Sequence, residues 1–66
     1  MTLKEAMIYM YRHPYVKMEC GPWMIESKWI MWTGEEYGFM LSDRSEPDHL
    51  WWEEAISWGY DWWIKE

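Results

Sequence analysis

Eight of the 66 residues are tryptophan, and the periodicity of the chain puts them on both faces of nearly every strand it predicts. A small sheet hides one face beneath its own helix, so apolar residues on the opposite face require a partner chain or a ligand. Tryptophan and tyrosine combine flat stacking area, low rotamer entropy and a polar handle, which suits binding surfaces and planar ligands. The pattern points to a binding protein whose second sheet face does the work.

A chain of this length makes one domain, residues 1–66, and a core that small is usually supplemented by disulfides, a metal or oligomerisation. Cys20 is the only cysteine, which excludes a disulfide within the chain. His13, His49 and Cys20 lack the spacing of metal ligands, so neither a metal nor another cofactor is expected. Oligomerisation is the remaining route, and the surplus aromatics supply its contact area. The expected state is a homo-oligomer, a dimer or a tetramer.

Twelve acidic against six basic side chains give a net charge of −6. That field repels nucleic-acid backbones and anionic membranes, so neither is an expected partner. It suits a basic partner surface, or simply keeps an aromatic-rich chain in solution. No stretch is long and apolar enough to span a bilayer, and Met1 leads directly into a helix signal, so no signal or transit peptide is expected. One free cysteine and no export signal point to a reducing cytoplasm.

Thr2 and Glu5 have the spacing of a capping box. Behind them Leu3, Ala6, Met7, Met10 and Tyr11 make one apolar stripe at helical spacing, ended by His13-Pro14, which predicts a helix over 3–12. Residues 15–20 alternate, with Val16, Met18 and Cys20 opposed to Tyr15, Lys17 and Glu19. Gly21-Pro22 marks a turn. Trp29 to Trp32 form a second strand, apolar on both faces, and Thr33-Gly34-Glu35-Glu36 reads as a hairpin loop into a third, Tyr37 to Leu41. Asp43 to His49 is the longest loop. Leu50 to Gly59 reads either as one helix with Trp51, Ala55 and Trp58 on a face and Gly59 as its cap, or as a short strand, Leu50 to Trp52, before a turn of helix at 53–58. The second version is preferred. Tyr60 to Lys65 alternates as the last strand. The expected class is α+β: an N-terminal amphipathic helix packed on a small, mostly antiparallel sheet of four to five strands, with a short second helix before the last strand.

This order of signals resembles a family of small phage-encoded proteins, the Thoeris anti-defence sponges of the second type and their short relatives. The resemblance is carried by the opening helix TLKEAMIYMYR, the strand YVKMEC, Gly21-Pro22-Trp23 in place of a Gly-Trp signature, and the closing AISWGYDWWIKE with its Asp61-Trp62 pair. Pro22 interrupts the Gly-Trp pair, and the basic residues usual before it are reduced to Lys17. The resemblance implies a homo-oligomer, a tetramer in related members, with pockets between subunits. Those pockets would sequester cyclic nucleotide or cyclic ADP-ribose-type immune signals without cleaving them, in the cytoplasm of an infected bacterial cell.

Trp23, Trp51, Trp52 and Trp62 are the candidates for stacking a base, worth about 1–3 kcal/mol per base. Ordinary core or subunit-interface anchors are the alternative for each. Arg44, Lys17 and Lys28 are the candidate phosphate contacts, Arg44 through its planar fork on a loop, against solvated surface charges. Asp61 would accept hydrogen bonds from a purine edge or ribose hydroxyl, or else cap or pair with a neighbouring strand. Catalysis is not expected. Glu35-Glu36 and Glu53-Glu54 are sequence neighbours that point apart, Ser27, Ser42, Ser45 and Ser57 lack a nucleophile elbow, and Cys20 has no nearby histidine. Two functions follow: a ligand sponge, or an acidic protein–protein inhibitor docking on a host defence enzyme or nucleic-acid-binding protein. An assembly module is a third.

Overall fold

Helix α1 spans Leu3–Arg12 and starts where the capping box places it. The Glu5 N–H donates to Thr2 Oγ1 at 3.2 Å, and Glu5 Oε1 accepts from the Thr2 N–H at 2.9 Å. Such a cap stabilises a helix by about 1 kcal/mol. The stripe then buries Leu3, Ala6 and Met10. In the computed structural model, which describes all 66 residues, the chain continues as β1 (Met18–Cys20), α2 (Gly21–Glu26), β2 (Ile30–Trp32), β3 (Phe39–Leu41), α3 (His49–Ser57) and β4 (Trp62–Ile64). The strands form one sheet in the order β3-β2-β1-β4, antiparallel throughout. The fold is α+β, with four strands.

Several boundaries differ from those the pattern predicts. The first strand loses residues 15–17, because Tyr15 adopts a left-handed φ of 69° and its N–H donates to the Trp32 carbonyl at 2.8 Å. Gly21-Pro22 opens α2 instead of making an isolated turn. Proline's fixed φ suits a first helical turn, where its missing N–H costs nothing, and it sits at N1/N2 here. The expected strand at Leu50–Trp52 is helix, so the single-helix reading of this segment is the correct one. The Asp48 side chain accepts from the Trp51 N–H at 2.8 Å, and Gly59 follows the helix with φ 68°, a conformation that suits glycine.

One core holds these elements together. Met18, Cys20, Ile30 and Trp62 come from the sheet, and Leu3, Ala6, Met10, Trp23 and Ala55 from the three helices. Met7, Trp32, Phe39, Leu41, Trp51, Trp52 and Trp58 pack around it. All three helices therefore cover the same face of the sheet. Trp29, Met31, Met40 and Trp63 stand outside this core, half-buried on the opposite face. No helix is long and apolar enough to cross a membrane.

Candidate functional site

Helices α2 and α3 meet at one end of the sheet through tryptophan. Trp23 packs edge-on against Trp62 (centroids 5.1 Å, 79°) and Trp58 (6.2 Å, 68°), and lies tilted against Trp51 (6.1 Å, 48°). Trp51 in turn meets Trp52 at 4.9 Å and Trp58 at 5.8 Å, both edge-on. The edge-to-face pairs among them contribute about 0.5–1.5 kcal/mol each beyond burial.

Above it opens a cleft of about 300 Å³ lined by Trp23, Lys28, Trp29, Leu41, Ser42, Asp43, Ser45 and Trp51. That volume is at the lower end of small-molecule sites. Two other cavities, of about 280 and 320 Å³, lie between α1 and the end of α3 and on the outer side of α1. Only the cleft beside Trp23 and Trp51 combines indoles with a cation and a hydrogen-bonding turn.

Local structure sets each wall. Ser27 ends α2 in the left-handed region (φ 54°), and the Lys28 N–H donates back to the Trp23 carbonyl at 3.1 Å, which turns Lys28 toward the cleft. Its ammonium lies 3.2 Å from Glu26. The opposite wall is a tight turn in which the Ser42 N–H donates to the Trp29 carbonyl (2.9 Å) and the Arg44 N–H to the Leu41 carbonyl (2.8 Å). Asp43 Oδ1 accepts from both the N–H and the hydroxyl of Ser45. Those bonds, with the Lys28 charge as a smaller contribution, hold the Asp43 carboxyl below its ordinary value.

Of the eight residues singled out in the sequence, Trp23, Trp51 and Lys28 come together here. The others do not. Trp62 is 1% exposed, a core residue beneath Trp23. Trp52 turns toward Phe39 (5.0 Å). Arg44 occupies the tip of the turn, with a left-handed φ of 68°, and does not line the cleft. Lys17 lies on the other sheet face, its Nζ 4.7 Å from the Trp29 ring centre. Asp61 precedes β4, at the opposite edge of the sheet from β3, and its carboxylate is 2.7 Å from the amino group of Met1. Trp29, Ser42, Asp43 and Ser45 were not among the sequence candidates; the signal that marks the turn is the Asp-x-Ser spacing.

Two indoles sandwiching a flat ring need about 7 Å between parallel faces, twice an ordinary carbon contact. Trp23 and Trp51 are closer and tilted, so a ring stacks on one of them rather than between them. Lys28 supplies one positive charge beside the carboxylates of Glu26 and Asp43. The cleft suits a planar group carrying hydrogen-bonding edges and at most one anionic substituent.

Three carboxyls titrate below their ordinary range: Glu5 through its bonds to Thr2, Asp43 through Ser45, and Asp61 through the terminal ammonium. Each stabilises the fold fully above its ordinary value of 3.8 or 4.5 and ceases to do so as pH falls through its lower folded value, because the unfolded chain then binds more protons. The urea midpoint is expected to be flat above that range and to fall steadily below it. Asp43→Asn should flatten part of the fall; an unchanged acid limb would show that the turn is not populated in solution.

The fold and the cleft define a small α+β domain with an aromatic pocket at one end of its sheet. Compared with known protein families, curated proteins and solved structures, the chain matches none of them.

Proposed function

We propose that this protein captures a nucleotide-derived signalling molecule, of the cyclic nucleotide or cyclic ADP-ribose type, and holds it without cleaving it. The observation that carries this reading is the convergence of Trp23, Trp51 and Lys28, from two helices and a loop, on one cleft whose far wall is the hydrogen-bonding turn at 42–45. A base stacks on the indole of Trp51, its polar edge meets Ser42, Asp43 and Ser45, and one phosphate reaches Lys28. Further phosphates stay at the rim, on the side of Arg44. The resemblance to the anti-defence sponges supports the same assignment from the sequence side.

Native mass spectrometry with a panel of cyclic dinucleotides, cyclic trinucleotides and cyclised ADP-ribose tests it. The expected spectrum shows discrete ligand masses, with the ligand recovered intact after denaturation. Trp51→Ala should weaken binding roughly 5- to 150-fold, the loss of one base stack. Bare protein across the whole panel, or unchanged uptake by a folded Trp51→Ala protein, would sink the proposal. A second reading, an acidic inhibitor docking on a basic host protein, draws on the outer face of α2, where Met24 and Ile25 stand exposed next to Glu26. Such a protein would ignore the nucleotide panel, and its partner binding would weaken steeply with salt.

A further inference from the structure

The sheet face turned away from the helices carries an ordered pattern of charge and aromatic side chains. Side chains alternate along an extended chain, so Glu19 of the central strand β1 and Lys17, just before that strand, project together on this open face. The register that pairs Met18 with Ile30 sets Met31 beside Lys17 and Trp29 beside Glu19. On the other flank Glu19 pairs with Trp63, and the Lys65 N–H donates to the Lys17 carbonyl at 2.8 Å. The face therefore consists of two rows, Met31-Lys17-Lys65 and Trp29-Glu19-Trp63, with Met40 beyond Met31.

Glu19 is the anomaly in this pattern. Its side chain is only 7% exposed although no helix covers it, and Oε2 is buried without any hydrogen-bond partner. The other carboxylate oxygen has a single long contact, 3.7 Å to Lys65 Nζ. A buried carboxylate left half-satisfied is costly; Oε2 is closed to solvent, and Oε1, held only by the long Lys65 contact, is the oxygen that a donor arriving on this face can meet.

We infer that this face docks on the same face of a second copy of the chain, around a two-fold axis lying between the sheets and perpendicular to their strands. Such an axis reverses the strand direction and exchanges the two rows. Passing between Lys17 and Glu19, it lays Lys17 over the partner's Glu19, Met31 over the partner's Trp29, and Lys65 over the partner's Trp63. The three contacts are an ion pair, a sulfur–aromatic contact and a cation–π contact, all favourable. Each occurs twice by symmetry, as an isologous interface demands. Lys65 leaves its long contact with Glu19 for the partner's Trp63 as the partner's Lys17 takes its place. Aligned sheets pack face to face in this way.

The charge pattern favours a second copy over other partners. Opposite charges two residues apart on one strand complement their own reversed image. Two ammonium groups against one carboxylate repel a basic protein at this face, and the overall charge of −6 repels nucleic acid. The inference does not depend on the identity of the cleft's ligand.

Sedimentation velocity over a concentration series tests the interface by charge exchange. Wild-type protein should show a concentration-dependent dimer. Lys17→Glu sets two carboxylates against each other at both symmetry-related contacts, and Glu19→Lys sets two ammonium groups against each other there. Each variant alone should therefore weaken the dimer at least about tenfold. An equimolar mixture of the two should restore a dimer, because every facing pair then has opposite signs. Circular dichroism checks that each variant is folded. Lys17 is exposed, so its reversal does not threaten folding, and a dimer of undiminished strength in that variant alone overturns the inference. A wild-type monomer throughout the series overturns it as well, as does a mixture of folded variants that stays monomeric.

Discussion

Replacing Trp62 with alanine is expected to unfold the domain at room temperature. The side chain is 1% exposed, its strand position pairs with Cys20 at the end of the central strand β1, and its ring is the floor on which Trp23 stands, 5.1 Å away. A truncated buried tryptophan costs about 3–5 kcal/mol, from lost transfer energy and from the cavity left behind. A chain of this length has a total stability of about 3–10 kcal/mol. The variant should therefore have lost the near-ultraviolet signal of its packed indoles or melt far below the wild type, while Trp62→Phe, which refills part of the space, should fall between. A loss below about 2 kcal/mol in urea denaturation would mean that Trp23 collapses into the vacated volume and that the cluster is softer than its edge-on geometry implies.

Met18→Lys should have an effect as large, whereas Lys17→Ala, one residue away, should leave the fold intact. Met18 is wholly buried beneath α1, facing Ile30 and Ile64 across the ladder. No carboxylate belongs to the core cluster there, so an ammonium at that position would be buried unpaired or would force the helix away. Lys17, just before that strand, projects to the opposite side of the sheet and is already exposed. Far-ultraviolet circular dichroism of the two variants gives the answer directly: loss of structure in the first and retention in the second. Equal behaviour would show that Met18 and Lys17 do not face opposite sides of the sheet.

How much of this was legible beforehand depended on whether the signal was local. Helix α1 carries its cap, its stripe and its stop within a few turns of chain, and the structure places it at Leu3–Arg12. The β2–β3 hairpin was equally readable. Helix α2 was not, because Gly21-Pro22 serves a turn and a helix start alike and the helix ends at Glu26, before any apolar stripe can repeat. In α3, the successive apolar residues Leu50, Trp51 and Trp52 satisfy strand and helix periods together; the Asp48 cap and the burial of Ala55 decide between them.

The cleft was legible in its parts and not in its assembly. Trp23, Trp51 and Lys28 are marked in the sequence as stacking and charged side chains, yet nothing local says that α2 and α3 will bring them to one place. The same reasoning selected Trp62, whose chemistry is that of a stacker but whose position is the core, and Asp61, whose carboxylate meets the chain's own amino group. Asp43 carries no such mark, because its importance lies in the turn it closes with Ser45. Trp29 carries none either, being an apolar residue in a strand doubly apolar by pattern.

Only nine apolar side chains make up the core, and that has an evolutionary consequence. Substitutions away from buried and capping positions generally shift stability by less than about 0.5 kcal/mol, so most of this chain is open to drift. Descendants would keep the fold while sharing few letters with their ancestor. What selection for folding preserves is a sparse template: small residues at 6 and 55 on the inner faces of two helices, large ones at 18, 30 and 62, and an indole at 23 to close the end of the sheet. Kinship among such proteins would survive in that spacing long after it had vanished from residue-by-residue identity.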